Sequence, residues 1–237
     1  GRDNFGLFID YPSRLTFDIG FTDKDILNIH TDGCDLVLYV ICGESSYDIV
    51  KQFRRMIGRS YIAPKFAFGF GQSRWGYKTK EDFLEVVHHH RSAHVPLDMI
   101  YMDIDYMDNF KDFTVNGKEF EDFPSFVKDM KENHIHLVPI IDAGVKVEKG
   151  YEVYEEGVEN GYFCKREDGS DFVGTVWPGE THFPDFLNPK AREWFGDKYK
   201  VLIDAGIDGF WNDMNEPAIF HTPEGLDDIC DVMQEFI

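Results

Sequence analysis

Asp208-Gly209-Phe210-Trp211-Asn212-Asp213-Met214-Asn215-Glu216-Pro217 follows an apolar approach made of Val201-Leu202-Ile203 and Ala205-Gly206-Ile207. Two acids and two amides then fall within five residues. A buried strand that delivers acidic and amide side chains at its C-terminal end is how an α/β barrel presents catalytic groups. An ordinary strand ending in a polar turn, capped by Asp and Asn, has the same composition. Asp213 is the candidate around which the other residues are placed.

The bulk properties narrow the function. A chain of 237 residues can bury one large core or two smaller ones. Apolar residues make up 43% and charged residues 29%, which suits a globular fold. The formal charge of −20 argues against nucleic acid and anionic membrane as partners, because both are bound through Lys and Arg. It fits a protein acting on a neutral ligand. Aromatics reach 16% and several stand beside acids, as sugar-binding clefts require, although core packing also uses them. The cysteines, at 34, 42, 164 and 230, form neither a CxxC pair nor a metal spacing. They are expected to be reduced, in a cytoplasmic compartment. No apolar run reaches membrane-spanning length. The chain opens mid-pattern at Gly1-Arg2-Asp3, so a missing signal peptide says little about secretion.

Residues 1–64 read as the end of an antiparallel β-sandwich followed by a linking helix. Short apolar runs occupy 5–9, 15–19, 26–30 and 36–41, with Asp32-Gly33 as a hairpin signal between the last two. Ser46 is expected to cap a helix to residue 57, and Ala63-Pro64 closes the part. From residue 65 the rhythm becomes strand, helix, strand. Strands are expected at 66–71, 99–102, 136–141 and 207–211, and helices at 81–93, 124–133 and 190–204. Phe66, Phe68 and Phe70 are expected on the inner face of the first strand. Asn116-Gly117 reads as a hairpin turn. Residues 143–188 are long for a βα connection and read as an inserted subdomain. Four βα units with polar strand ends over 65–237 predict an α/β fold, the first half of a (β/α)8 TIM barrel. A doubly wound sheet is the alternative, but no Gly-rich phosphate loop follows the first strand.

The strand ends carry the chemistry. Asp103 and Asp105, two apart on a strand, share a face, and Asp142 and Asp213 end later strands, so acids converge on one rim. Oxygen coordination of a metal and glycoside hydrolysis both use such convergence. A hydrophobic strand ending Asp-x-Asp also suits a magnesium-dependent phosphatase of the haloacid-dehalogenase kind, which wants Gly-Thr where Tyr106-Met107 stand. Of His88, His89, His90 and His94, only His90 and His94 share a helix face, with no HExxH or Cys partner, so a solvated face is expected there.

The string from Asp208 to Pro217 resembles the nucleophile signature of glycoside hydrolase family 31, the retaining α-glucosidases and α-xylosidases. That pattern, Trp-x-Asp-Met-x-Glu, is met by Trp211, Asp213, Met214 and Glu216. Gln72-Ser73-Arg74-Trp75-Gly76-Tyr77, Asp103-Ile104-Asp105-Tyr106-Met107 with Asp112-Phe113-Thr114, and Ile140-Ile141-Asp142 resemble the family's first three barrel strand ends. The likeness is closest to its bacterial α-glucosidases. It implies Asp213 as the nucleophile and Asp103 as the acceptor of sugar hydroxyls, with Ile104 and Ile141 packing beside it. Trp75, Trp177 and Trp211 become apolar walls, and Met214 the floor. Asp103-Ile104-Asp105-Tyr106-Met107 has the glucosidase rather than the xylosidase form.

The implied partner is an α-glucoside oligosaccharide, with no metal and no cofactor, and a homo-oligomer is compatible with the sequence. The family's acid/base Asp lies on a later strand end. The chain is therefore expected to need the remainder of its polypeptide to complete the barrel, and to be inactive alone. A non-catalytic sugar-binding fragment is the other reading of this stretch.

Overall fold

The structure is a computed structural model that describes residues 4–33, 35–216, 218–223 and 225. Cys34, Pro217 and Cys230, singled out above, lie outside the described residues. The chain forms two compact units that divide between Ile62 and Ala63.

The first unit holds four strands, β1 (Phe5–Asp10), β2 (Leu15–Ile19), β3 (Leu27–Thr31) and β4 (Val37–Cys42), and the helix α1 (Ser46–Ile57). The expected hairpin at Asp32-Gly33 does not form. Instead β2 pairs antiparallel with β3, and β1 pairs antiparallel with β4. The β2–β3 turn outcompetes it because Gly20 supplies a φ of 69° and donates to Ile26 O at 3.1 Å. The Asp18 carboxylate also accepts from Phe21 N and Thr22 N there. Helix α1 is capped by Ser45, one residue earlier than expected, whose hydroxyl accepts from Asp48 N at 3.2 Å. Its Phe53 ring meets Phe8 edge-on at 5.1 Å, which seats the helix on β1.

The second unit does not start with the expected strand over 66–71. Pro64 begins a 3-10 turn, Lys65–Phe68, and pairing starts only at β5 (Gly71–Gln72). The Asp98 carboxylate fills the space beside Gly69 and accepts from Phe70 N at 3.0 Å, which holds the approach out of the ladder. Phe68 and Phe70 are accordingly exposed instead of lining an inner face, and Phe66 stacks on His136 at 3.6 Å.

The elements α2 (Lys80–Ser92), β6 (Met99–Met102), α3 (Phe123–Glu132) and β7 (His136–Asp142) follow. Helix α2 opens with a capping box between Thr79 and Asp82, and α3 with Asp122 as N-cap and Pro124 in its first turn. Asn116-Gly117 makes no hairpin. Asn116 O accepts from Glu119 N and Phe120 N, a coil that buries Phe120 against Phe83 and Phe126. Residues 143–188 hold β8 (Val145–Lys146), α4 (Glu152–Asn160), β9 (Gly174–Val176) and β10 (Gly179–His182), with the strands in the antiparallel order β8-β10-β9.

The helix expected over 190–204 breaks at Tyr199 into α5 (Pro189–Lys198) and α6 (Lys200–Asp204). Tyr199 is tied down by edge-on contacts with Phe113 and Phe210 and by donation from its hydroxyl to Asn212 Oδ1 at 2.6 Å. The last strand, β11 (Trp211–Asp213), starts later than the expected 207–211. Gly206, at φ 102°, and the bond from Ile207 N to Leu202 O still belong to the helix end.

Strands β5, β6, β7 and β11 make one parallel sheet in the order of the sequence. A doubly wound sheet must reverse its order at a switch point, whereas a barrel adds each strand beside the last, so this is a half-barrel. The register puts Tyr101, Val138, Ile140, Asp142, Trp211 and Asp213 on one face. Ile100, Met102, Leu137 and Ile141 point the other way, into the main core with Phe126 and Met130 of α3.

Phe83 is fully buried, with Tyr77, Phe120 and Phe126 around it at 5.4–6.0 Å. Phe83→Ala should cost about 3–5 kcal/mol, whereas Phe68→Ala, at a 75% exposed position, should change stability little. Urea unfolding of the two variants measures this, and equal losses would contradict the placement of residues 65–70.

Candidate active site

Asp213 is the last residue of β11 and sits opposite Asp142, the last residue of β7, on one rung of the parallel ladder. Residues in register on adjacent parallel strands project to the same side, so both carboxyls stand on the face that carries Trp211. Asp103 follows the end of β6 and caps a 3-10 turn, Ile104–Tyr106, by accepting from Ile104 N at 2.8 Å. The strand stops at Met102, so Asp103 and Asp105 are not alternate residues of a strand as expected. The turn forms because Ile104 and Tyr106 are both buried, and the Tyr106 hydroxyl donates to Ile140 O at 2.8 Å.

The acids feel one another. Burial first, and then the charges of Asp213 and Asp103, push the Asp142 carboxyl up to about 7. Asp103 is also raised, by burial and then by Asp105 and Asp213, against the lowering bond from Ile104 N. Behind Asp142 lies Asp112, 1% exposed, whose Oδ1 accepts from Asp142 N at 3.0 Å. Burial and the neighbouring Asp142 hold Asp112 well above the usual carboxylate range. Among the described residues three buried carboxylate oxygens lack a partner: Asp105 Oδ2, Asp112 Oδ2 and Asp142 Oδ1. No group of His, Cys, Asp and Glu is arranged to hold a metal among the described residues. His88 and His89 are exposed, and His90 Nδ1 lies 2.9 Å from Val86 O of its own helix.

The aromatic residues divide into two groups. Trp75, after β5, and Trp177, in the β9–β10 turn, face each other at 5.7 Å, and both are largely exposed. Phe220 meets Trp177 edge-on at 4.9 Å, held by its bond from N to Thr175 O. Trp211 packs instead against Tyr101, edge-on at 6.1 Å.

Ile141, Ile104 and Met214, also expected at the site, are packed against the surrounding cores. Ile141 alternates with Ile140 and Asp142, so its side chain points to the helices, and Ile140 is the isoleucine on the acid-bearing face. Ile104, expected to pack beside Asp103, is 2% exposed and belongs to the main core under the turn. Met214 takes φ 58° and packs with Ile219 onto the small core of Cys164, Phe172, Val176 and Phe183. The pairing of Ile140 with Asp142 was available from the two-residue period of a strand. Asp112 and Phe220 had no such local signal, because their contacts come from distant segments.

Residues 60–235 match the model of the Glycosyl hydrolases family 31 TIM-barrel domain. The chain is 38% identical over 222 residues to Alpha-glucosidase 2 of Bacillus thermoamyloliquefaciens, covering 94% of this chain and 28% of that protein. It is 31% identical to an Alpha-glucosidase of Saccharolobus solfataricus, covering 94% and 32%. Among solved structures, the family 31 alpha-glucosidase from Bacteroides thetaiotaomicron superposes with a TM-score of 0.81 at 33% identity, over 93% of this chain and 37% of that one. The chain thus spans roughly a quarter to a third of the length of these two curated relatives.

The buried Asp112 gives a pH signature. Its acid is easier to keep neutral in the fold than in the unfolded chain, so it favours folding at low pH. That benefit is lost as pH rises from the ordinary value of 3.8 toward its raised value. Asp112→Asn removes the titration, so the stability of the variant relative to wild type should rise as the pH is raised above the ordinary carboxylate value of 3.8. Urea midpoints at several pH values check it, and a difference that does not change with pH would place Asp112 in water.

Proposed function

Because the chain belongs to glycosyl hydrolase family 31, we propose that the protein is a retaining α-glucosidase with Asp213 as its nucleophile. The observation that supports this reading is the placement of Asp213 at a strand end, on the face of Trp211 and in reach of the charges of Asp103 and Asp142. This reading concerns the whole protein, since the relatives are longer chains.

In the first step an Asp213 oxygen attacks the anomeric carbon while the bond to the leaving oxygen breaks. A second carboxyl, about 5 Å away, gives that oxygen its proton. In the second step water loses a proton to the same carboxylate and displaces Asp213, restoring the original anomer. We assign the proton-donor role to none of the described residues. Asp103 accepts hydroxyl protons of the terminal glucose, with Ile140 rather than Ile141 beside it. The open Trp75–Trp177 pair offers an apolar platform at the mouth, where sugar C–H faces stack on aromatic rings. The free thiols of Cys42 and Cys164 fit a reducing, cytoplasmic setting.

Two measurements on the full-length protein test the reading. Asp213→Asn keeps the shape and removes the nucleophilic charge, so kcat/KM on maltose should fall by at least about three orders of magnitude. Proton NMR of the first sugar released by wild type should show the α anomer. Release of the β anomer would mean a single displacement, and an active Asp213→Asn would move the nucleophile elsewhere.

A further inference from the structure

Asp142 is the most enclosed acid of the rim, and nothing in the reaction above gives it a task. It is 5% exposed, at the end of a strand flanked by β6 and β11, and its Oδ1 is buried without a hydrogen-bond partner. Its backbone is fixed by the bond from Asp142 N to Asp112 Oδ1. Among the described residues the ionisable groups that face it are Asp103 after β6, Asp213 on β11, Asp112 from the loop before α3, and Tyr106 from the turn. The charges that act on it, those of Asp213 and Asp103, are both negative.

Three carboxylates cannot all ionise cheaply in such a place, because like charges at close range in a poorly hydrated site repel strongly. Asp112, behind the rim, is itself kept neutral by burial, so among the three rim acids one further proton is retained, and it stays where hydration is worst. Asp103 and Asp213 are partly exposed, whereas Asp142 is buried. We propose that Asp142 is a positioning residue for Asp213 that works as a neutral, proton-bearing carboxyl, standing on the same rung without adding a second charge. The proton is not transferred in either step. It lets Asp213 carry the charge that the displacement needs, with an uncharged polar neighbour behind it. This inference rests on Asp213 being the nucleophile.

The full-length protein tests it through Asp142→Asn, which copies the neutral carboxyl, with Asp213→Asn in parallel. At about pH 5 the Asp142→Asn enzyme should keep kcat on maltose within about threefold of wild type. The alkaline limb of its kcat profile should lose one ionisation that is expected near 7 in wild type. Infrared difference spectra of wild type against Asp142→Asn should contain a protonated-carboxyl band at about pH 5 that is gone by about pH 9. Asp142→Ser serves the spectral comparison if the Asn variant fails to fold. A hundredfold or greater loss of kcat in Asp142→Asn would show that the charged form is required. An unchanged pH profile, or no protonated band, would leave Asp142 a structural residue only, and each result overturns the proposal. Full activity in Asp213→Asn would instead strike the nucleophile assignment, which separates the two failures.

Discussion

The pairing of β11 onto β7, with Asp213 opposite Asp142, is the constraint on which the rest of the site depends. Parallel pairing sets which side chains project together, so this one register decides that Trp211 and Asp213 share a face with Ile140 and Asp142. A slip of one residue would bring Asn212 to the front and send Asp213 into the helices. Several contacts resist that slip. Asn212 receives a bond from the Tyr199 hydroxyl on the helix side, and Asp208 is held by Lys131 and His136 before the strand begins.

The remaining acids are placed relative to that rung by buried structure. Tyr106 ties the turn after β6 to Ile140 O, which carries Asp103 to the same rim. Asp112 grips Asp142 N, and the Tyr151 hydroxyl donates to Asp112 O at 2.8 Å, linking the loop before α3 to the segment before α4. The cost is a set of buried carboxyl oxygens without partners, which in most folds would be replaced by apolar groups. The segment 143–188 serves the same rim from outside, since its β9–β10 turn brings Trp177 to Trp75.

Much of this was legible in the sequence where the signals were local. The runs at 99–102 and 136–141 read as strands and fold as such, and Pro124 lies in the first turn of its helix as expected. Asp103 and Asp142 stood out as the acids ending these runs, Asp213 through the acids and amides packed into 212–216, and Trp75 only through the family resemblance. The first strand was not legible, because Phe66, Phe68 and Phe70 imitate strand alternation while the Asp98 carboxylate, far along the chain, holds that segment away from the ladder. The hairpin at Asp32-Gly33 lost to a better turn at Gly20, which only the alternative pairing of β1 with β4 makes visible. The choice of Ile141 over Ile140 ignored the strand period. Asp112 and Phe220 depend on contacts between distant segments, which no local pattern reports.

The carboxyl at the end of β11 is proposed to form a covalent bond to the sugar. The most direct measurement is peptide mapping of the full-length protein after inactivation with a 5-fluoro-α-glucosyl fluoride, which slows release of a glycosyl-enzyme ester. The account predicts one labelled peptide containing Asp213, with the added sugar mass on that residue. A label on Asp103 or Asp142, or inactivation with no covalent adduct, would contradict it.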